Sequence, residues 1–98
     1  MAMNGPFHFS FGFPGAHGVQ TKSFPVSVHG VKGVKANSIV LGSATERTST
    51  GDGHMGTASI EVLNLTPKNN GEIDVRINIL WNSNLIVLVN LMIWTIDG

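Results

Sequence analysis

The strongest constraint on the fold comes from two apolar segments near the C-terminus. From Ile73 to Trp81, apolar residues alternate with mainly polar ones. A period of two is typical of an antiparallel strand with one buried face and one solvated face. From Leu85 to Ile96, the residues of both phases are apolar. Because β-branched residues are frequent and Asn82-Ser83-Asn84 forms a polar break, the pattern predicts a hairpin rather than a helix.

The segment Leu85–Ile96 therefore has two apolar faces. The first face consists of Leu85, Val87, Val89, Leu91 and Ile93, and the second of Ile86, Leu88, Met92, Trp94 and Ile96. A small sandwich has one core, so only one of these faces is buried in it. The second face is predicted to be covered by the N-terminal segment, by another subunit, or by both.

The N-terminal segment has an aromatic face of its own. Phe7, Phe9, Phe11 and Phe13 alternate with small or polar residues until Pro14-Gly15, which predicts an extended segment. Burying one such side chain stabilises a fold by about 1.5–3 kcal/mol, so these rings must be covered by their own domain or by a neighbour. We predict an extended, Phe-rich N-terminal arm over residues 1–23, followed by a β-sandwich domain over residues 24–98.

Further strand signals lie between these ends. Phe24, Val26 and Val28 alternate with polar residues and predict a strand, as does the apolar run from Ser38 to Ala44. Thr57–Leu65 predicts a strand with a bulge, because its apolar phase switches after Val62. The sequence also predicts an exposed loop from Thr45 to Gly56 and a turn at Thr66–Gly71.

These signals together predict an all-β protein, a small antiparallel β-sandwich of jelly-roll or Ig-like type. A chain of 98 residues buries only roughly 60–70% of its unfolded surface. The absence of cysteine excludes disulfides and thiolate metal sites. Only 12% of the residues are charged, against ~25% in an ordinary soluble domain. We therefore expect support from other subunits, in a homo-oligomer.

The sequence offers little for catalysis or for charged partners. The formal net charge is zero, which argues against nucleic-acid binding. The longest apolar run is shorter than the ~20 residues of a membrane-spanning helix, and no secretory leader is apparent. His8, His17, His29 and His54 lack the spacing of zinc ligands, and no nucleophile motif occurs. We predict no enzymatic activity, no metal, no cofactor and no membrane partner.

The two tryptophans leave a second hypothesis open. Exposed aromatic rings stack on carbohydrate faces, but Trp81 and Trp94 lie in phase with aliphatic residues, which favours core or interface packing. The alternative function is a carbohydrate-binding β-sandwich module that uses the loop Thr45–Gly56 and an exposed tryptophan.

Three segments after Phe24 have a common strand-and-turn pattern: Val26–Gly30, the run Ala36–Leu41 and the hairpin turn Trp81–Leu85. Through these segments the chain resembles small β-sandwich domains of phage virion proteins. The resemblance implies a trimeric decoration, cement or tail-associated subunit, located in the virion or, alternatively, in the cytoplasm, with capsid or tail proteins as partners. We predict a non-enzymatic structural subunit that self-associates. The predicted oligomer interface consists of Phe7, Phe9, Phe11, Phe13, Ile86, Leu88, Met92 and Trp94.

Overall fold

The computed structural model describes residues 2–47, 53–54, 59–81 and 85–97. In this part of the chain, seven strands and one 3₁₀ helix form. The strands are β1 (Ala2–Gly15), β2 (Gly18–Phe24), β3 (Ile39–Arg47), β4 (Gly53–His54), β5 (Ser59–Pro67), β6 (Ile73–Leu80) and β7 (Leu85–Asp97), and the helix spans Val26–His29.

The strands form two antiparallel sheets. Sheet A has the order β1-β7-β3-β4, and sheet B has the order β2-β6-β5. The strands in the middle of the two sheets supply most of the core. The buried core side chains are Ile73, Val75, Ile77 and Ile79 of β6, Val87, Val89, Leu91 and Ile93 of β7, and Val26, Val31 and Val34 between β2 and β3. The predicted all-β class is confirmed, and the sandwich type stays a prediction.

The hairpin of β5 and β6 follows the sequence pattern closely. Inward and outward residues alternate along β6 as predicted. The preceding turn is closed by hydrogen bonds from the Gly71 amide to the Lys68 carbonyl and from the Lys68 amide to the Glu72 carbonyl. Gly71 has a φ of 85°, which a three-residue hairpin loop requires at its last position. The predicted turn is confirmed from Lys68 to Gly71, whereas Thr66 and Pro67 belong to β5.

The bulge predicted in β5 is also present. Val62 lies opposite Ile77 and Asn64 lies opposite Arg76, so Leu63 is the extra residue. The bulge changes the phase of β5, and Asn64 consequently faces outward while Leu65 packs on the core.

The strand predicted around Val26 and Val28 is wrong. Residues Val26–His29 form the 3₁₀ helix instead, with Val26 fully buried and Val28 73% exposed. Pro25 supplies no amide hydrogen for a ladder, and its carbonyl accepts a hydrogen bond from the Val28 amide at 3.1 Å. His29 therefore lies at the end of a helix rather than on a strand.

The N-terminal segment contributes an edge strand to each sheet. β1 pairs with β7 from Ala2 to Gly15, and β2 pairs with β6 from Gly18 to Phe24. The predicted boundary between residues 23 and 24 falls at the end of β2. The predicted loop Thr45–Gly56 is wrong at two places, because residues 45–47 belong to β3 and residues 53–54 form β4. Its residues 48–52 and 55–56, and the predicted turn at residues 82–84, lie outside the described residues.

Candidate interaction surfaces

The eight predicted interface residues lie on opposite faces of sheet A. Residues directly opposite each other in an antiparallel pair project to the same face. Phe7, Phe9, Phe11 and Phe13 lie opposite Ile93, Leu91, Val89 and Val87, all of which are fully buried. The phenylalanines therefore face inward, whereas Ile86, Leu88, Met92 and Trp94 occupy the outer face. The structure does not bring the eight residues together on one surface.

Phe9, Phe11 and Phe13 form an aromatic cluster with residues that follow them. The ring of Phe9 lies 5.3 Å from those of Phe11 and His29. Phe24 of β2 contacts Phe11 and Phe13. All four phenylalanines nevertheless remain half-buried, so their own chain covers them only in part.

The outer face of sheet A is the largest collection of exposed apolar side chains that the structure describes. Ile39 lies opposite Trp94, and Leu41 lies opposite Met92. Leu41 is 60% exposed. Of the nine large apolar residues with an exposed side chain, five lie on this face: Met3, Ile39, Leu41, Ile86 and Met92.

Sequence reasoning missed Ile39 and Leu41 as members of this surface. The run from Ser38 to Ala44 has apolar residues in both phases, because Val40 and Ala44 face the core while Ile39 and Leu41 do not. Apolar residues in both phases of Leu85–Ile96 predicted that this strand has a second apolar face. The same reasoning, applied to the run from Ser38 to Ala44, predicts that Ile39 and Leu41 belong to that face.

Polar groups interrupt the outer face at its centre. Ser10, Asn90 and Ser43 form a row across β1, β7 and β3, and a hydrogen bond of 3.0 Å joins His8 Nε2 to Asn90 Oδ1. Arg47 lies against Gly12, which has no side chain to obstruct it. Its Nε is buried without a hydrogen-bond partner among the described residues.

The outer face of sheet B is mainly polar, with Val19 and Leu80 as exposed apolar residues. It carries a shallow depression lined by Thr21, Asn64, Thr66, Asp74 and Arg76. Arg76 Nε donates a hydrogen bond to Thr21 Oγ1 at 3.2 Å, and Thr66 Oγ1 donates one to Asn64 Oδ1 at 2.7 Å. These contacts hold the guanidinium and the amide, and leave the Arg76 Nη and Asn64 Nδ2 groups as donors for a ligand.

Asp74 is the acidic member of this depression. Its Oδ1 accepts a hydrogen bond from Ser23 Oγ at 2.5 Å and lies 3.1 Å from Lys68 Nζ. The hydrogen bond from Ser23, and then that from Lys68, hold the pKa of the Asp74 carboxyl below its usual value. The pKa of Lys68 is raised by its hydrogen bonds to Asp74 and then to Glu72. Both side chains are therefore charged at neutral pH.

The other candidates from the sequence lie outside this depression. Trp81 and Trp94 are both half-buried, and the backbone carbonyl of Trp81 is hydrogen-bonded to His17 Nδ1. In the described part of the chain, no group of three histidine, aspartate or glutamate side chains is placed to hold a metal ion. No helix there is long and apolar enough to cross a membrane.

No protein-family model, curated protein or solved structure matches the chain. It is a small all-β domain of two antiparallel sheets, one with an apolar outer face and one with a polar outer face.

Proposed function

We propose that the chain is a non-enzymatic structural subunit that self-associates and packs on a larger assembly, such as a phage virion, as a capsid decoration or tail component. The observation that carries the proposal is the exposed apolar outer face of sheet A. Exposed apolar patches that are bordered by polar residues typically mark protein interaction sites. Met3, Ile39, Leu41 and Met92 lie together on one side of the polar row of Ser10, Asn90 and Ser43.

The distribution of charge supports the same surface. Of the described residues of β1, β3 and β7, Arg47 is the one charged side chain directed outward. The outer face of sheet B carries Glu61, Asp74 and Arg76. Depletion of charge is characteristic of the centre of an interface, and sheet A alone has this property.

The dimensions of the face are adequate for an interface. β7 has 13 residues, which corresponds to a length of about 43 Å at ~3.3 Å per residue. Three strands spaced ~4.8 Å apart span about 14 Å, giving a face of roughly 600 Å². The whole face, including its central polar row, thus approaches the ~800 Å² that each partner contributes to a standard interface.

The host assembly is proposed on the sequence resemblance alone. The trimer, the capsid or tail partners and the location in a virion all derive from it, with the cytoplasm as the alternative location. The apolar face supports association without specifying the number of subunits.

The proposal is tested by light scattering over a concentration series, with two matched variants. Leu41 lies on the outer face of sheet A and Leu80 on that of sheet B, with exposures of 60% and 49%. We expect the native chain to form a closed oligomer. Leu41→Lys should raise the dissociation constant at least about tenfold, because a charge would be placed within an apolar contact.

Leu80→Lys provides the control, since it adds the same charge to a face that the proposal leaves in solvent. It should leave the association unchanged. A native chain that is monomeric at every concentration would overturn the proposal, as would equal effects of the two substitutions.

A carbohydrate-binding module is the second candidate function, and the depression on sheet B favours it. Arg76 and Asn64 offer donors, and Asp74 offers acceptor positions beyond those used by Ser23 and Lys68. Paired donors and acceptors of this kind suit the vicinal hydroxyls of a saccharide. A monomeric chain in the scattering experiment would make this the leading hypothesis. Neither tryptophan lines the depression.

A further inference from the structure

β1 is a long edge strand of sheet A. It has 14 residues, and one side of it pairs with β7. An edge strand presents a row of backbone N–H and C=O groups that can pair with a further strand, and natural proteins usually protect such edges with charges, prolines, bulges or short strands.

The two edges of sheet B carry these protections. On β2, Lys22 lies opposite the buried Val75 and therefore points inward, with Nζ 5.5 Å from the centre of the Phe13 ring. β5 contains the bulge at Leu63 and ends at Pro67. Each of these features disfavours pairing with another chain. On sheet A, β4 pairs with Glu46 and Arg47 of β3 among the described residues, so β3 from Ile39 to Thr45 has β7 as its one strand partner there, with Leu65 of β5 close to Gly42.

The central part of β1, from Phe7 to Phe13, has no charged residue, proline or bulge that would protect its edge. A register shift between Asn4 and Phe7 interrupts one end of the strand, and Pro14 occupies the other. From Phe7 to Phe13 the pairing with β7 is regular, and the sequence contains no proline and no Asp, Glu, Lys or Arg. The inward-facing phenylalanines of this stretch are only half-buried.

The order of residues in this stretch identifies its partner. The phenylalanines at positions 7, 9, 11 and 13 are arranged symmetrically about Ser10. If two copies of the strand run antiparallel about a two-fold axis at Ser10, Phe7 lies opposite the second copy's Phe13, and Phe9 opposite its Phe11. All four pairs then lie on the inner face, and cross-strand aromatic pairs of this kind stabilise antiparallel strands.

We propose that the chain forms a two-fold dimer by antiparallel pairing of Phe7–Phe13 with the same segment of a second copy. This inference rests on the proposed self-association, and its two-fold pairing takes the place of the threefold arrangement that the resemblance implies. The two four-stranded sheets then become one continuous sheet, which joins the two apolar outer faces into a single larger surface. The dimer covers the exposed sides of the phenylalanines, which the outer-face contact does not reach.

The charges near the edge are compatible with this arrangement. Lys22 lies over Phe13, and Phe13 and the second copy's Phe13 lie at opposite ends of the paired segment. Six residues separate Phe7 from Phe13, so the two Lys22 side chains are about 20 Å apart at ~3.3 Å per residue. At that distance their repulsion is largely screened at physiological ionic strength.

Cysteine cross-linking tests the inference directly, because the native chain contains no cysteine. In Ser10→Cys, the two thiols lie opposite each other at the axis, with Cβ atoms about 5 Å apart. We expect most of the protein to form a disulfide-linked dimer under mild oxidation. A nitroxide attached to the same cysteine should show strong dipolar broadening between copies, which does not depend on disulfide geometry.

Ser43→Cys is the matched control. Ser43 shares the outer face and the cross-strand row with Ser10, but it lies on β3. In the proposed dimer the two Ser43 residues are five strand spacings apart, or about 24 Å. Edge pairing therefore does not bring them together, and this variant should cross-link and broaden much less than Ser10→Cys. Face-to-face association without edge pairing would not favour Ser10 over Ser43.

The outcomes separate this inference from the proposed function. An oligomer whose Ser10→Cys form shows neither preferential cross-linking nor dipolar broadening relative to Ser43→Cys overturns the edge pairing and leaves the proposed function in place. A monomeric native chain overturns both. A Leu41→Lys variant that remains a dimer and cross-links through Ser10→Cys supports the edge contact as separate from the apolar face.

Discussion

Asp74 shows how single side chains organise the polar face of sheet B. It lies on the outward phase of β6, between a hydroxyl donor on β2 and an ammonium group in the turn after β5. Ser23 and Asp74 are directly opposite residues of adjacent strands. Their hydrogen bond therefore links the edge strand to the central strand through side chains as well as through the backbone.

Replacing Ser23 with alanine should raise the pKa of Asp74 toward its ordinary value. The Ser23 hydrogen bond is the largest cause of the lowered pKa, and the contact with Lys68 remains in the variant. A carboxyl whose folded pKa is depressed stabilises the fold above its unfolded pKa, near 3.8, and this contribution is lost as the pH falls through the lower folded pKa. The acid-unfolding midpoint of Ser23→Ala should therefore move to higher pH.

The pKa of Asp74 can be followed through its carboxyl ¹³C shift by NMR. Ser43→Ala is the control, because it removes an exposed hydroxyl from the other sheet and should leave the titration of Asp74 unchanged. An Asp74 titration that is the same in Ser23→Ala and in the native chain would contradict this assignment.

At the scale of elements, the bulge in β5 explains how this strand packs Val62 and Leu65 on the core and still places Asn64 on the outer face of sheet B. Leu63 is the unpaired residue, and it is 46% exposed. Before the bulge, Val62 faces the core, and after it Leu65 does so. The inserted residue thus allows Asn64 to line the depression beside Arg76.

Deletion of Leu63 should be tolerated, whereas deletion of Leu41 should not. Without Leu63, Val62 and Asn64 become neighbours that still face Ile77 and Arg76, so every other side chain keeps its phase. β3 has no such irregularity, and a one-residue deletion inverts the phase of the residues on one side of it. Either Val40 then turns away from the core or Arg47 turns toward it.

Urea unfolding measures the difference between these two deletions. We expect deletion of Leu63 to change the free energy of unfolding by less than about 1 kcal/mol. Deletion of Leu41 should cost about 3 kcal/mol or more, since a buried side chain of this size contributes ~1.5–3 kcal/mol and a buried charge costs more. Equal losses in the two deletions would contradict the bulge assignment.

The same elements show how far sequence patterns extend. Long alternations such as Ile73–Leu80 and the phase switch after Val62 are set by the period of two in a pleated sheet, and the structure confirms both. The three alternating residues Phe24, Val26 and Val28 form too short a pattern to distinguish a strand from a single helical turn. Pro25, which removes a ladder donor, was the better signal there.

At the scale of the whole molecule, the sequence predicts which strand faces are apolar and must be covered, but it does not predict where these faces lie relative to one another. The aromatic phase of Phe7–Phe13 and the two apolar phases of Leu85–Ile96 are local properties. That β1 lies beside β7, rather than over its outer face, follows from long-range pairing. Pairing of this kind depends on which partner buries the most apolar surface, and the order of residues in one strand does not contain that information.

Self-association should make the thermal stability of the chain depend on its concentration. A partner that binds only the folded state stabilises it by about 0.4 kcal/mol at a concentration equal to the dissociation constant and by about 2.7 kcal/mol at a hundredfold excess. For a domain of 60–100 residues, 1 kcal/mol shifts the midpoint by about 4–8 °C. Over that range, the thermal unfolding midpoint of the native chain should therefore rise by on the order of 10 °C.

Calorimetry at matched concentrations compares the variants. The midpoint of Leu80→Lys should depend on concentration as that of the native chain does, and the midpoint of Leu41→Lys should depend on it less. A native midpoint that is independent of concentration would show that the apolar face of sheet A has no partner among copies of this chain.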